Sequence, residues 1–188
     1  TAVSGTTEKL ASEYPFRFAV NPEFLTEEHA LEDMRNTNRV VIGADNPSSR
    51  EQLLRVYRPV FPNARFVCVG CRTAEMIKYA ANVTLAGQIA IANEIYRICQ
   101  VLGVNYDVVR GAILLDQRIG RNTRVPGPDE DFGFGGKCLP KDLCALIYSA
   151  REHQCEPHLL AEIWRSNLDV RKDRDWLKIP DAAPTPRI

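Results

Sequence analysis

One of the six cysteines, Cys138, has neighbours suited to nucleophilic chemistry. It stands in Gly-Gly-Lys-Cys-Leu-Pro-Lys-Asp at 135–142, and glycines such as Gly135 and Gly136 let a backbone approach a ligand closely. Pro140 suits the first turn of a helix, which puts Cys138 at a helix N-terminus between Lys137 and Lys141. The positive end of a helix and nearby ammonium groups both favour a thiolate over a thiol. Asp142, expected in the first helical turn, suits the same dipole and can orient a water. The same run also reads as a glycine loop with a capping aspartate and an incidental packed thiol. Local pattern alone leaves both open.

Other residues carry weaker signals. Lys78 and Asn82 are four apart, so on a helix they share one face; taken alone, such a pair more often reads as a solvated lysine and asparagine on an exposed surface. Glu23, in Asn-Pro-Glu-Phe-Leu at 21–25, is a base at a strand end or a plain loop carboxylate. Arg118, in Asp-Gln-Arg-Ile-Gly at 116–120, has the fork to clamp a phosphate or the position to cap the preceding helix. Cys68 and Cys71 have metal-ligand or redox spacing, yet no second cysteine pair or nearby histidine completes a site.

The elements that must hold these residues change character along the chain. Residues 16–20 alternate, 39–43 form a compact β-branched run, and 65–69 give a third strand candidate. Ser48 or Ser49 is placed to cap a helix between the last two, closed by Pro59 and Pro62. Strand, helix, strand in this order suggests part of a parallel sheet. From Thr73, a plausible N-cap, a long helix runs through Leu102 with Leu85, Ile89, Ala92, Ile95, Ile98 and Leu102 at helical spacing. Gly103 ends it and Asn105 caps the next helix. Residues 117–137 are polar and contain Gly and Pro, so no regular element is expected there; Pro140 and Pro157 then open two more helices. The division expected is 1–70 as the end of a larger α/β domain, 71–179 as an all-helical domain, and 180–188 as a disordered tail. The fold class is therefore α+β, mostly α: a remnant of a parallel sheet followed by helices, one of them long.

Bulk composition narrows the function classes. Lys+Arg and Asp+Glu both number 24, and this balance gives no footprint for nucleic acid or an anionic membrane. No run of 18 apolar residues occurs, and residues 1–10 lack the basic and apolar regions of a signal peptide. Free thiols in a reducing cytoplasm are the expectation.

Taken together and in order, four motifs resemble the UDP-glucose/GDP-mannose dehydrogenase family: residues 21–25, 75–82, 116–120 and 134–142. The resemblance runs from Thr1 to about residue 179. It implies NAD-dependent oxidation of a sugar C6 alcohol to a carboxylate, using two NAD+ in succession, with UDP-glucose the expected substrate and GDP-mannose the alternative. It implies that Cys138 captures the aldehyde as a thiohemiacetal later oxidised to a thioester. Lys78 then stabilises the oxyanion or assists proton removal, Asn82 helps it, Asp142 binds the catalytic water, and Glu23 serves thioester hydrolysis. Thr1 matches the family threonine near that water. Phe24, Leu25, Glu27, Phe132, Gly133, Phe134, Gly135 and Gly136 would line the nucleotide-sugar site, with Arg118 reaching the substrate of a neighbouring subunit. Thr1, Glu27, Cys138 and Lys141 would meet the cofactor, and no metal is implied. The family's homodimer would form through the long central helix.

The sequence also departs from the family. It has no Gly-x-Gly-x-x-Gly turn to hold a pyrophosphate, and residues 1–10 match the last crossover of such a domain. The second Rossmann-like domain of the family has no counterpart here. These 188 residues alone are therefore expected to bind NAD+ very weakly and to produce no NADH from UDP-glucose, leaving dimerisation as the alternative activity of the chain.

Overall fold

The computed structural model describes residues 4–26 and 29–179. They form two compact units that divide between Ala80 and Ala81. Helix α4 (Cys71–Leu102) contains this boundary.

The first unit is built on two parallel strands, β1 (Arg39–Gly43) and β2 (Arg65–Val69), in register from Arg39 opposite Arg65 to Gly43 opposite Val69. β-Branched residues favour the extended backbone, and Val40, Val41 and Ile42 are buried. Helix α3 (Pro47–Val60) connects the strands and packs Leu54 against Val40, Ile42 and Ala44. Its cap is Asn46, whose side chain accepts hydrogen bonds from the Ser48 and Ser49 N–H groups at 2.8 and 3.4 Å. The serines are thus donors in the first turn, with Pro47 at its start.

The strand candidate at 16–20 does not form. Only Val20 pairs with Gly43, through two 2.8 Å backbone hydrogen bonds. Phe16 is left exposed, because the alternating run meets a partner strand at this one residue. The segment read as a crossover contains helix α1 (Thr6–Glu13), and a short helix α2 (Ala30–Arg35) was not signalled by periodicity. A buried Glu75 on α4 holds the start of α1, accepting from the Gly5 and Thr7 N–H groups at 2.6 and 3.0 Å and from the Thr7 hydroxyl at 2.6 Å. Helix α4 begins at Cys71, before the expected Thr73 cap, because Asp45 beyond β1 accepts the Cys71 N–H at 3.1 Å. With 32 residues it is about 48 Å long.

The second unit packs the later part of α4 with α5 (Tyr106–Ile113), α6 (Cys138–Glu152), α7 (His158–Val170) and a 3₁₀ turn at Asp175–Leu177. Asn105 caps α5 as expected, accepting from the Asp107 and Val108 N–H groups. Its main core joins Val83 and Ala86 of α4, Leu143, Cys144 and Ile147 of α6, Trp164 of α7, Phe134 from the segment before α6, and Trp176 from the 3₁₀ turn. A second cluster gathers Ala92, Cys99, Tyr106 and Val125. The apolar stripe expected on α4 divides: Ile89 and Ile95 pack inward, while Leu85, Ile98 and Leu102 are exposed. Residues 117–137 form no helix or strand. Among the described residues, no helix is long and apolar enough to cross a membrane. The expected tail at 180–188 lies outside the described residues.

Candidate active site

In the second unit the glycine-rich segment leads directly into α6. The helix starts at Cys138 rather than at Pro140, with Lys137 as its N-cap residue and no side chain capping it. Cys138 is exposed, and the first-turn N–H groups of a helix are its electropositive end. Because the helix begins earlier than expected, Asp142 falls in the second turn. It remains four residues from Cys138, on the same helical face.

Asp142 is fully buried. Its Oδ2 accepts the Asn82 side-chain N–H at 2.5 Å, and its Oδ1 accepts from the Lys141 ammonium. A buried carboxylate is tolerable only with such partners. Lys141, expected beside the thiol as an activating charge, is thus paired with Asp142.

The segment 132–136 is held by side chains. The Gly133 N–H donates to Asn93 Oδ1 at 3.0 Å, the Phe134 N–H to Asn167 Oδ1 at 2.7 Å, and the Gly136 N–H to Asp175 Oδ2 at 2.9 Å. Gly133 has φ +68°, and a Cβ there would lie 2.2 Å from Asn167 Oδ1, so this position admits glycine alone. Beside it, Arg171 is buried against Asp129 at 2.7 Å and Asp175 at 3.4 Å. Asn93, Asn167, Arg171 and Asp175 were not foreseen as part of the site. For Asn93 and Asn167 the available signal was a polar residue where helical spacing calls for an apolar one; Arg171 and Asp175, beyond the end of α7, carried no such signal.

The first unit carries the other candidates. Asn21 anchors its segment by donating to the Val41 carbonyl at 2.6 Å. Glu23 Oε2 accepts the Leu25 N–H at 2.7 Å, and its Oε1 lies 3.1 Å from Lys78 Nζ. Lys78 is 5% exposed. Partial burial opposes ionisation of Glu23, but the Leu25 N–H and the Lys78 ammonium outweigh it and hold its carboxyl below the ordinary glutamate value. Phe24 carries Arg39 at 4.2 Å and Lys78 at 5.5 Å from its ring centre. A cavity of about 270 Å³ opens beside Glu23, Phe24, Leu25, Arg39 and Tyr57.

On α4, Lys78 and Asn82 stand one turn apart, and both are buried. Arg118 is exposed and turned onto Asp116, bonding it through Nε at 2.9 Å and Nη2 at 2.5 Å. Thr1 and Glu27 lie outside the described residues. Burial pushes the Cys71 thiol up to about 11, with Asp45 adding to the effect, and pushes Cys144 up to about 12. Cys68, by contrast, is exposed, and Cys71 donates its thiol to the Gly43 carbonyl.

Two family models match the chain. One is described as the central domain of the UDP-glucose/GDP-mannose dehydrogenase family and covers residues 72–169. The other, the NAD binding domain of the same family, covers residues 2–61. The chain belongs to this family. Among its relatives, the UDP-glucose 6-dehydrogenase of Rickettsia felis is 40% identical over 155 residues, spanning 82% of this chain and 34% of that protein. A UDP-glucose dehydrogenase structure from Pyrobaculum islandicum superposes with a TM-score of 0.80 at 37% identity, covering 90% of this chain and 40% of the other. A ternary complex of a GDP-mannose dehydrogenase from Pseudomonas aeruginosa gives a TM-score of 0.57 at 32% identity, with 90% and 41% covered. The chain spans about a third of the length of the curated relatives it matches.

Proposed function

We propose that this chain carries the nucleophile of an NAD-dependent UDP-glucose 6-dehydrogenase. The observation that supports this best is the head of α6: an exposed Cys138 at an uncapped helix start, one turn from a buried Asp142 bonded to Asn82. The parallel β1–α3–β2 arrangement suits a nucleotide-binding fold, and Cys138 is exposed to an incoming substrate and nicotinamide. Cys138 and Lys141 would flank it, joined by Thr1 and Glu27. When bound, NAD+ supplies the hydride acceptor for two oxidations, alcohol to aldehyde and thiohemiacetal to thioester.

The chain's residues do the rest. Asp142, through a water, takes the proton released from the C6 hydroxyl. The Cys138 thiolate adds to the aldehyde carbon; a C–S bond forms and the carbonyl electron pair moves to oxygen, where Lys78 and Asn82 stabilise the charge. After oxidation to the thioester, a water held by Asp142 attacks while Glu23 takes its proton. The C–S bond then breaks, its electrons return to the Cys138 sulfur, and the carboxylate leaves. Phe24, Leu25 and the backbone at 132–136 line the sugar-nucleotide site, with Arg118 directed to a second subunit. That subunit is a second copy docked along α4, where Ile91, Ile98 and Leu102 present an exposed apolar stripe.

The nucleophile is tested by a half-reaction that needs no cofactor. The C6 aldehyde of UDP-glucose should protect Cys138 from iodoacetamide, read by peptide mapping, while UDP alone should not. Equal labelling in the two cases would overturn the proposal. Stronger protection by the corresponding GDP-mannose aldehyde would replace the substrate but keep the chemistry.

A further inference from the structure

We infer that Asn167, acting with Arg171 and Asp175, is a positioning residue that sets the backbone of 132–136 and thereby the orientation of Cys138; this rests on the nucleophile reading above. Four N–H groups of this segment are held by side-chain oxygens: Phe132 by Asp131 at 2.8 Å, Gly133 by Asn93 at 3.0 Å, Phe134 by Asn167 at 2.7 Å and Gly136 by Asp175 at 2.9 Å. Among the described residues, no backbone carbonyl accepts from any of them. Ahead of the turn at 136–137 that leads into α6, the segment therefore depends on side chains to fix its N–H groups, three of the four from distant residues.

Asn167 has the largest part. It is 1% exposed and follows Trp164 by one helical step on the core side of α7, where an apolar residue would pack without desolvation cost. Its amide instead makes both bonds of a backbone strand pair, accepting from the Phe134 N–H and donating to the Phe134 carbonyl at 3.0 Å. Arg171, one turn further on, reaches the Phe132 carbonyl at 3.5 Å and ties Asp129 to Asp175. Asp175 then holds the Gly136 N–H, two residues before Cys138. Both attachments sit immediately upstream of the first turn of α6, so their loss frays the turn that presents the sulfur.

The test compares iodoacetamide labelling of Cys138 with that of Cys68 and Cys155, the other exposed thiols, in one digest of the 188-residue chain. Asn167→Ala should slow Cys138 about tenfold without moving the other two. Asn167→Asp, which keeps the acceptor for the Phe134 N–H, should recover part of that loss. Asp175→Ala, at a partly exposed side chain, should slow Cys138 about threefold and serves if Asn167→Ala fails to fold. Leu160→Ala on the same helix, removing packing only, should lower the melting temperature and leave the Cys138 ratio unchanged. A lower melting temperature with unchanged Cys138 labelling in both Asn167→Ala and Asp175→Ala overturns the inference, as does equal slowing of all three thiols. The wild-type order of the three thiols judges the nucleophile reading separately.

Discussion

Two carboxylates assigned to the same chemistry are held in contrasting ways. Asp142 in the second unit is fully buried and bonded to Asn82 and Lys141. Glu23 in the first unit keeps a half-exposed side chain and reaches a buried ammonium, Lys78. The difference is one of dielectric. A pair inside the protein is electrostatically strong and intolerant of losing a member, whereas a pair at the surface is screened by water and salt. A residue that must bind one water in one orientation suits the first arrangement, and a base that must exchange protons with solvent suits the second.

The sharpest way to break this contrast is at Arg171, the buried cation of the second unit. Arg171→Ala leaves Asp129 and Asp175 facing each other without their cation and should cost about 3–5 kcal/mol of unfolding free energy, read from urea denaturation. Asp142→Ala comes next. It strands the buried Asn82 amide, with an expected loss of about 1–3 kcal/mol, and should slow aldehyde protection of Cys138 far more than it shifts the urea midpoint.

Acid provides a third test. Burial opposes ionisation of Asp131, but the Asp173 and Phe132 N–H groups and Arg171 together hold its carboxyl below the ordinary aspartate value. A depressed carboxyl contributes stability that is full above its unfolded value, about 4, and is lost as pH falls through the lower folded value. The second unit should therefore lose stability below about pH 4, and Asp131→Asn should flatten that dependence in pH-jump melting curves. Glu23→Gln should have the smallest effect. Gln keeps the side chain's size and an acceptor for the Leu25 N–H and the buried Lys78, so the loss should be at most about 1 kcal/mol, and the half-exposed carboxylate makes part of it salt-sensitive. A loss as large as that of Asp142→Ala, or one insensitive to salt, would remove the distinction between the two carboxylates.

Some of this organisation was legible from local pattern. The β-branched run at Arg39–Gly43 and the strand at Arg65–Val69 formed as read, because each pairs with the other along its length. The Asn105 cap and the helices after residues 117–137 also formed as expected, since caps and periodicity act within a few residues. Failures came where a distant group decided the outcome. The run at 16–20 had strand alternation but only one ladder position to occupy, and α4 started early because Asp45 accepts the Cys71 N–H from 26 residues away.

The site divides along the same line. By itself, the sequence determined the candidates Cys138, Lys78, Asn82, Asp142 and Glu23, because their types, spacing and order match the motifs of the family to which the chain belongs. Tertiary structure alone decided that Lys141 pairs with Asp142 rather than standing free beside the thiol, and that Asn93, Asn167 and Asp175 hold the glycine segment. The bonds to the glycine segment join residues 33 to 40 positions apart. No local periodicity encodes them, because a buried amide reveals its partner only when the chain has brought the two together.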